Sequence, residues 1–119
     1  AIVYTLKEYI TDIDISIKWP NDVLVNNNKI AGVLIKTIIF KKEIKKVVVG
    51  CGININQKKF SFQKNNPTSL FLISQKEIDR ESFLNQFFEK FTNLFNSLEN
   101  GDFEFLQEEF FRFSDDVNF

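Results

Sequence analysis

Five polar residues stand where the apolar runs of the chain begin or end, and their types suit the binding of an anionic molecule. They are Lys18, Asn21, Asp22, Lys29 and Asn54. Lysine offers a compact positive charge to a phosphate or a carboxylate. The chain has no histidine and one cysteine, so a transition-metal centre is not favoured. The set therefore predicts chemistry on a phosphate or a carboxylate group.

A purely structural interpretation accounts for the same polar residues as solvated lysines, a turn and strand ends. It does not account for Gly32, Gly50 and Gly52, which fall inside predicted strands. Glycine weakens a strand and marks a bulge or the close approach of another group. The glycines therefore favour a cavity whose floor is free of side chains. Neither G-x-x-x-x-G-K nor G-x-G-x-x-G occurs in the chain, so the common nucleotide-binding loops are excluded.

The elements that must position these residues begin with a short helix and a strand. Apolar residues recur at helical spacing over residues 1 to about 10, and residues 13–19 alternate between apolar and polar types. On that alternation, Trp19 packs on the core face and Lys18 points away from it. Pro20 has no amide hydrogen to donate, so the strand ends there.

An antiparallel meander is predicted next. It comprises a short strand at 23–25, a loop of three asparagines at 26–28 and a long strand at 29–40. A turn at 41–43 leads into a strand from 46 to about 55. Asparagine tolerates left-handed backbone better than most residues, which suits the first turn. The second turn is predicted to be a solvated hairpin tip that carries Lys41, Lys42, Lys45 and Lys46.

A long helix is predicted to begin near Arg80. Asp79 suits the N-cap, Ile78 and Phe83 have the spacing of a hydrophobic staple, and Gly101 suits the C-terminal stop. The apolar stripe of this helix is predicted to be core, and a second helical pattern follows it. The stripe consists of Phe83, Leu84, Phe87, Phe88, Phe91, Leu94, Phe95 and Leu98, and the second pattern of Phe103, Leu106, Phe110 and Phe113.

The bulk composition limits the class of protein. At 119 residues, with 44% apolar and 26% charged residues, the chain is one folded domain or part of one. A net charge of −1 gives no overall field for nucleic acid or an anionic membrane. Cys51 is alone and cannot form an internal disulfide, and no apolar run of about 18 residues indicates a membrane span. We therefore expect a cytoplasmic protein that contacts neither membrane nor nucleic acid through this chain.

Three segments resemble the motifs of the biotin protein ligases in order, spacing and residue type. KWPND at 18–22, KIAGVL at 29–34 and VGCGININ at 49–56 are similar to the K-W-P-N-D, K-[ILV]-[AG]-G and G-x-G-I-N series of that family. Weaker similarity extends through PTSL at 67–70 and IDR at 78–80. The resemblance implies an α+β fold related to the catalytic domains of class II aminoacyl-tRNA synthetases. In that fold a mixed, largely antiparallel sheet has helices packed on one side.

The resemblance also implies a two-step reaction. Biotin and ATP with Mg²⁺ give biotinyl-5′-AMP and pyrophosphate, and a lysine of a biotin carboxyl carrier protein domain then takes the biotinyl group. The carrier domain of a biotin-dependent carboxylase is thus the implied partner, with a homodimer as a further expectation. The alternatives are a lipoate ligase or octanoyltransferase of the same fold, and a non-catalytic interaction module such as an RNA binder with a basic hairpin tip.

The motif positions imply the site residues. Lys29 would bridge the biotin carboxylate and the α-phosphate as the catalytic residue, and Cys51 would be a buried small hydrophobe between two glycines. The resemblance does not assign the ligands of the metal. The biotin pocket would comprise Lys29, Gly32, Leu34, Gly50 and Gly52, and the ATP side Lys18, Asn21, Asp22 and Asn54.

Two features of the family are not found in this sequence. The arginine-rich loop G-R-G-R-x-x-R-x-W has no counterpart in residues 1–17, and no segment resembles the small β-barrel that follows the catalytic domain. We therefore expect residues 1–119 to be a single partial domain, the C-terminal half of a biotin protein ligase catalytic domain, with little activity alone.

Overall fold

The computed structural model describes residues 1–61 and 66–115 of the chain. Within these ranges the fold is α+β, with four consecutive strands followed by three consecutive helices. In chain order they are α1 (Ile2–Lys7), β1 (Ile15–Lys18), β2 (Asp22–Val25), β3 (Asn28–Phe40), β4 (Glu43–Ile53), α2 (Leu70–Ser74), α3 (Arg80–Glu99), α4 (Phe103–Phe113) and β5 (Ser114–Asp115).

The strands form one sheet in the order β4-β3-β2-β1-β5. The pairs from β1 to β4 are antiparallel, and β5 is parallel to β1. The predicted meander and the mixed, largely antiparallel sheet are therefore confirmed. Its turns use left-handed residues, with φ of 49° and 66° at Asn26 and Asn27 and of 51° and 63° at Lys41 and Lys42.

The helices α1, α3 and α4 lie over one face of this sheet. Residues from all three line an apolar cavity of about 410 Å³ together with Val33, Ile35, Val49 and Cys51 of the sheet. Side chains alternate along a strand, so the residues between these four project toward the opposite face. The opposite face of β3 and β4 carries Gly32, Gly50 and Gly52.

The core is small and lies where α1, α2 and the first part of α3 meet the sheet. Its most enclosed side chains include Leu6 of α1, Ile30 of β3 and Leu70 of α2, each with no exposed surface. Ser16 is also buried, although the alternation of β1 predicts a polar, exposed face there. The core cluster comprises Ile2, Val3, Leu6, Ile10, Ile15, Val23, Val25, Ile30, Ala31, Ile55, Leu70, Ile78, Phe83 and Phe87.

The start of α3 is as the sequence predicts. The Asp79 carboxylate accepts hydrogen bonds from the amide of Glu81 and the hydroxyl of Ser82. The two staple residues, Ile78 and Phe83, are both in the core. At the other end of the helix, Gly101 adopts a φ of 78°.

The prediction that the whole stripe of α3 is core is wrong. Of its eight residues only Phe83 and Phe87 are buried. The helix is 20 residues long and outruns the small core, so its later turns have less to pack against. The rings of Phe87, Phe91 and Phe95 instead stack on one another, with centroids 6.0 Å apart. The exposed members are Leu84, Phe88, Phe91, Phe95 and Leu98.

Trp19 does not anchor the core face, contrary to the prediction. Strand β1 ends at Lys18, and the residues that follow form a turn in which the Trp19–Pro20 peptide is cis. Alternation fixes the direction of a side chain only within a strand, so it does not extend to residue 19. The side chain is 59% exposed.

Candidate functional site

Four residues at the centre of the sheet form one lateral row across four strands. Lys18 on β1 lies opposite Asp22 on β2, Asp22 lies opposite Gly32 on β3, and Gly32 lies opposite Gly52 on β4. Residues that pair laterally project from the same face of a sheet. The strand register thus places a cation, a carboxylate and two bare backbone positions side by side on the face away from α3 and α4.

The next row extends this surface along the sheet. Leu34 lies opposite Gly50, two residues further along each strand and hence on the same face. The two rows form the wall of a shallow cavity of about 430 Å³. It is lined by Asn21, Asp22, Lys29, Gly32, Val33, Leu34, Gly50, Cys51 and Gly52.

A bulge puts Lys29 on this face. Leu24 pairs with Lys29 and Val23 pairs with Ala31, so Ile30 is an extra residue in β3. Lys29 and Gly32 are three residues apart, and in a regular strand they would project from opposite faces. The extra residue turns Lys29 to the same face as Gly32.

Lys29 and Asp22 form the charged centre of the cavity. The Lys29 Nζ lies 3.1 Å from Asp22 Oδ1, and the two side chains are 36% and 22% exposed. A Cβ atom on Gly32 would lie 3.3 Å from both Cε and Nζ of Lys29. The lysine side chain therefore lies directly against the bare backbone of Gly32.

The amide residues Asn21 and Asn54 occupy the margin of the cavity. Asn21 lines it, and its carbonyl accepts a hydrogen bond of 2.9 Å from the amide of Val33. The backbone amide of Asn54 donates to the carbonyl of Ile30, and its side-chain oxygen accepts a bond of 3.3 Å from Gln57. Asn54 does not line the cavity wall, but it lies beside the bulge that positions Lys29.

The cavity brings most of the predicted site residues together. Asn21, Asp22 and Lys29 and the four pocket residues at positions 32, 34, 50 and 52 line one space, with Lys18 beside Asp22 in the lateral row. Within residues 1–61 and 66–115, no group of three or more His, Cys, Asp or Glu side chains is placed to hold a metal ion. Any cation here would rely on the single carboxylate of Asp22 and on ligand oxygens.

Sequence reasoning missed two residues outside β3, one that hydrogen-bonds to the bulge and one that fixes the segment after β4. The amide of Thr68 donates a hydrogen bond of 2.8 Å to the carbonyl of Lys29. Asn56 fixes the segment after β4, because its amide group donates to the carbonyl of Ile78 at 2.8 Å and accepts from the amide of Ile78 at 2.9 Å. The PTSL segment at 67–70 resembles a family motif. No sequence pattern predicts that its backbone contacts Lys29.

Cys51 is not the buried hydrophobe that the sequence predicts. It is exposed, and it alternates with Gly50 and Gly52, so its side chain belongs to the helix-side face with Val33. Partial burial nevertheless raises the pKa of the thiol. The helix-side cavity is lined mostly by apolar groups apart from Asn21 and Asp22, whereas Lys29 and the glycines line the cavity on the other face of the sheet.

The mixed, largely antiparallel sheet with helices on one face is the fold that the motif resemblance to the biotin protein ligases implies. Residues 1–54 match the model of the Biotin/lipoate A/B protein ligase family. The chain is similar to biotin protein ligases in sequence and in fold, as the following comparisons show. In the part of the chain that the structure describes, no helix has the length and apolarity needed to cross a membrane.

The similarity covers most of this chain and a smaller share of each relative. The chain is 32% identical over 100 residues to biotin–protein ligase 1, chloroplastic, of Arabidopsis thaliana, which is 84% of this chain and 27% of that protein. It is 39% identical over 71 residues to the bifunctional ligase/repressor BirA of Bacillus spizizenii, which is 57% of this chain and 22% of that protein.

A solved structure likewise matches most of this chain and a smaller share of its own. The biotin protein ligase from Aquifex aeolicus in complex with biotin and ATP is similar with a TM-score of 0.73 at 30% identity, over 90% of this chain and 44% of that chain. The chain thus spans less than a third of these curated relatives and less than half of the solved neighbour.

Proposed function

We propose that the protein to which this chain belongs activates biotin with ATP to give biotinyl-5′-AMP and pyrophosphate, and then transfers the biotinyl group to a lysine of a carrier domain with release of AMP. The observation that carries this proposal is the Lys29–Asp22 pair over Gly32. A bulge, a glycine and a carboxylate all act to hold one ammonium group on an open cavity. A lysine that served only solubility would need none of them.

The reaction needs a cation at this position. A carboxylate must attack the α-phosphate of a triphosphate, and two anions repel each other. Preorganised positive charge that meets the negative charge of the transition state is a large source of rate enhancement. Lys29 would contact both anions, and the bare backbone of Gly32, Gly50 and Gly52 would leave room for the ring system of biotin.

The ATP side of the site comprises Lys18, Asn21, Asp22 and Asn54. Mg²⁺ in nucleotide sites is commonly held by one or two carboxylates together with substrate phosphates and water. Asp22 fits that role, because its contact with Lys29 is made through Oδ1 and the residue lies on the open cavity. Asp22 would hold Mg²⁺ with the phosphates, and the ion would neutralise part of the phosphate charge.

The experiment is biotin-dependent exchange of labelled pyrophosphate into ATP by the full-length gene product. Lys29→Ala should lower the exchange rate by about 100- to 1,000-fold, as expected for removal of one group that stabilises the transition state. Lys59→Ala, which removes a lysine outside the site, is the matched control and should leave the rate unchanged. A wild-type rate in Lys29→Ala would overturn the proposal.

The same assay separates biotin from lipoate. Biotin should support exchange, and lipoate in its place should support exchange poorly. Exchange that depends on lipoate and not on biotin would replace the proposed substrate with the lipoyl alternative.

A further inference from the structure

The hairpin formed by β3 and β4 extends beyond the glycine floor as a cationic arm, which we define as residues 35–49. It holds five lysines and one glutamate, a net charge of +4 in a chain whose total is −1. Glu43 is already paired, with its Oε2 2.8 Å from Nζ of Lys45. The rest of the chain is therefore acidic on balance, and the positive charge is concentrated on this arm.

Two of these lysines continue the face that carries the site. Lys36 pairs with Val48, and Lys46 pairs with Ile38, in consecutive rows after Leu34 and Gly50. Because side chains alternate along each strand, Lys36 and Lys46 project from the same face as Leu34 and Gly50. Within residues 1–61 and 66–115, neither lysine has an ion-pair partner.

The arm is also open to an incoming chain. Strand β4 is at the edge of the sheet as far as the structure describes it. The aliphatic side chains between the lysines are exposed, with Ile38 at 44% and Val48 at 46%. A surface that combines unpaired cations, exposed aliphatic groups and a free strand edge suits a polypeptide better than a lone small anion.

We propose that the site-side face of the cationic arm, with Lys36 and Lys46 at its centre, docks an acidic segment of the acceptor protein next to the lysine to be modified. The inference rests on the proposed function, because it assigns the surface used in the second step. Charge complementarity steers association and fixes orientation. The arm begins at the site itself, so a segment bound along it presents its lysine near Leu34 and Gly50.

The test compares two double variants of the full-length protein. Lys36→Gln with Lys46→Gln should raise the KM for an unbiotinylated carrier domain of a biotin-dependent carboxylase about tenfold and weaken its dependence on salt. Pyrophosphate exchange, which needs no acceptor, should be unchanged. Lys59→Gln with Lys76→Gln removes the same charge away from the arm and should change neither measurement. Glutamine keeps much of the side-chain length, and urea unfolding midpoints verify that each variant is folded.

The outcomes are distinct. An unchanged acceptor KM in the arm variant, or an equal loss of pyrophosphate exchange, overturns the inference. If the wild-type protein shows no exchange at all, the proposed function fails, and direct titration of the carrier domain, followed by fluorescence anisotropy at two salt concentrations, still tests docking on the arm. Binding of polyuridylate RNA through the same lysines, without binding of the carrier domain, would overturn the inference in favour of a nucleic-acid partner.

Discussion

Lys29 and Asp22 face each other from adjacent strands, with 3.1 Å between the ammonium nitrogen and Oδ1 of the carboxylate. They meet because Ile30 is an extra residue in β3, which turns Lys29 to the face of Asp22 and Gly32. Both side chains are partly exposed, and ion pairs in such surroundings contribute about 0 to 1 kcal/mol to stability. The geometry therefore serves to orient the ammonium group more than to hold the fold together.

Replacing Asp22 should separate these two effects. Asp22→Asn keeps the shape and removes the charge, so Lys29 loses the partner that orients it, and the Mg²⁺ that we propose to accompany ATP would lose a ligand. We expect the free energy of unfolding to change by less than about 1 kcal/mol, as for an exposed pair. Pyrophosphate exchange should fall by about tenfold or more, because preorganised charge is lost from the site.

The control for Asp22 is the other exposed pair on the sheet. Glu43→Gln breaks the 2.8 Å contact with Lys45 at the hairpin tip. It should leave both urea unfolding and pyrophosphate exchange unchanged. Equal effects of the two substitutions on exchange would show that the Asp22 pair has no special part in the site.

The glycine floor yields a second prediction, because Gly32 and Gly52 differ in their surroundings. A Cβ on Gly52 would meet no atom within 4 Å, whereas one on Gly32 would lie 3.3 Å from the end of the Lys29 side chain. Gly52→Ala should therefore keep or raise the free energy of unfolding, by up to about 1 kcal/mol, since alanine restricts the unfolded chain. Its methyl group should still lower biotin affinity about tenfold by filling space that the ligand needs.

Gly32→Ala should act through the lysine. The methyl group displaces the flexible end of Lys29, so we expect the rate of adenylate formation to fall more than biotin affinity. Calorimetric titration with biotin and pyrophosphate exchange give the two quantities for each variant. Unchanged biotin affinity in Gly52→Ala would mean that the glycine floor is not the ligand pocket.

The sequence predicted the meander with both of its turns, the left-handed tolerance of the asparagine turn and the caps of α3, because each depends on a few neighbouring residues. It could not predict the bulge at Ile30, since simple alternation places Lys29 and Gly32 on opposite faces of β3. The site residues came from the motif resemblance, and the register of four strands was needed to place them in one row.

The failed predictions concern burial, which is a property of the whole fold. Trp19 follows the end of β1, and Phe91 and Phe95 lie beyond the part of α3 that reaches the core. Each belongs to an apolar pattern that normally indicates burial. A pattern along one element shows which side is apolar, but not whether another element covers it.

Cys51 provides a prediction on pH. Partial burial raises the pKa of its thiol, so the thiolate fraction at a given pH is smaller than for an ordinary cysteine. Alkylation by iodoacetamide at pH 8 should be slower than that of free cysteine, and the rate should reach half its maximum at a higher pH. Because the folded state holds this proton more tightly, the free energy of unfolding should fall as pH rises above the ordinary thiol range.

Cys51→Ser tests both parts of this prediction. It should remove the alkylation and flatten the thiol-dependent loss of stability above that range. Biotin affinity should change little, because alternation turns the Cys51 side chain toward the helix-side face, although the residue also lines the cavity of the site. Alkylation at the rate of free cysteine would contradict the raised pKa.

Two asparagines after β4 separate support of the fold from chemistry. Asn56 exchanges two hydrogen bonds, of 2.8 and 2.9 Å, with the backbone of Ile78, immediately before the N-cap of α3. Asn56→Ala leaves a partly buried N–H and C=O without these partners, and each such loss costs about 1 kcal/mol or more. We expect the free energy of unfolding to fall by about 2 kcal/mol, with exchange activity kept at temperatures where the variant is folded.

Asn54→Ala should have the opposite pair of effects, with stability kept and activity lowered. Its side chain makes one bond of 3.3 Å, to the exposed Gln57, so stability should change by less than about 1 kcal/mol. Its backbone bond to Ile30 survives the substitution, so the bulge that positions Lys29 stays in place. The KM for ATP should rise severalfold, because an amide on the ATP side of the site is lost. Urea unfolding and pyrophosphate exchange on both variants decide the matter: if Asn54→Ala loses stability and keeps its KM, Asn54 supports the fold and does not contact the nucleotide.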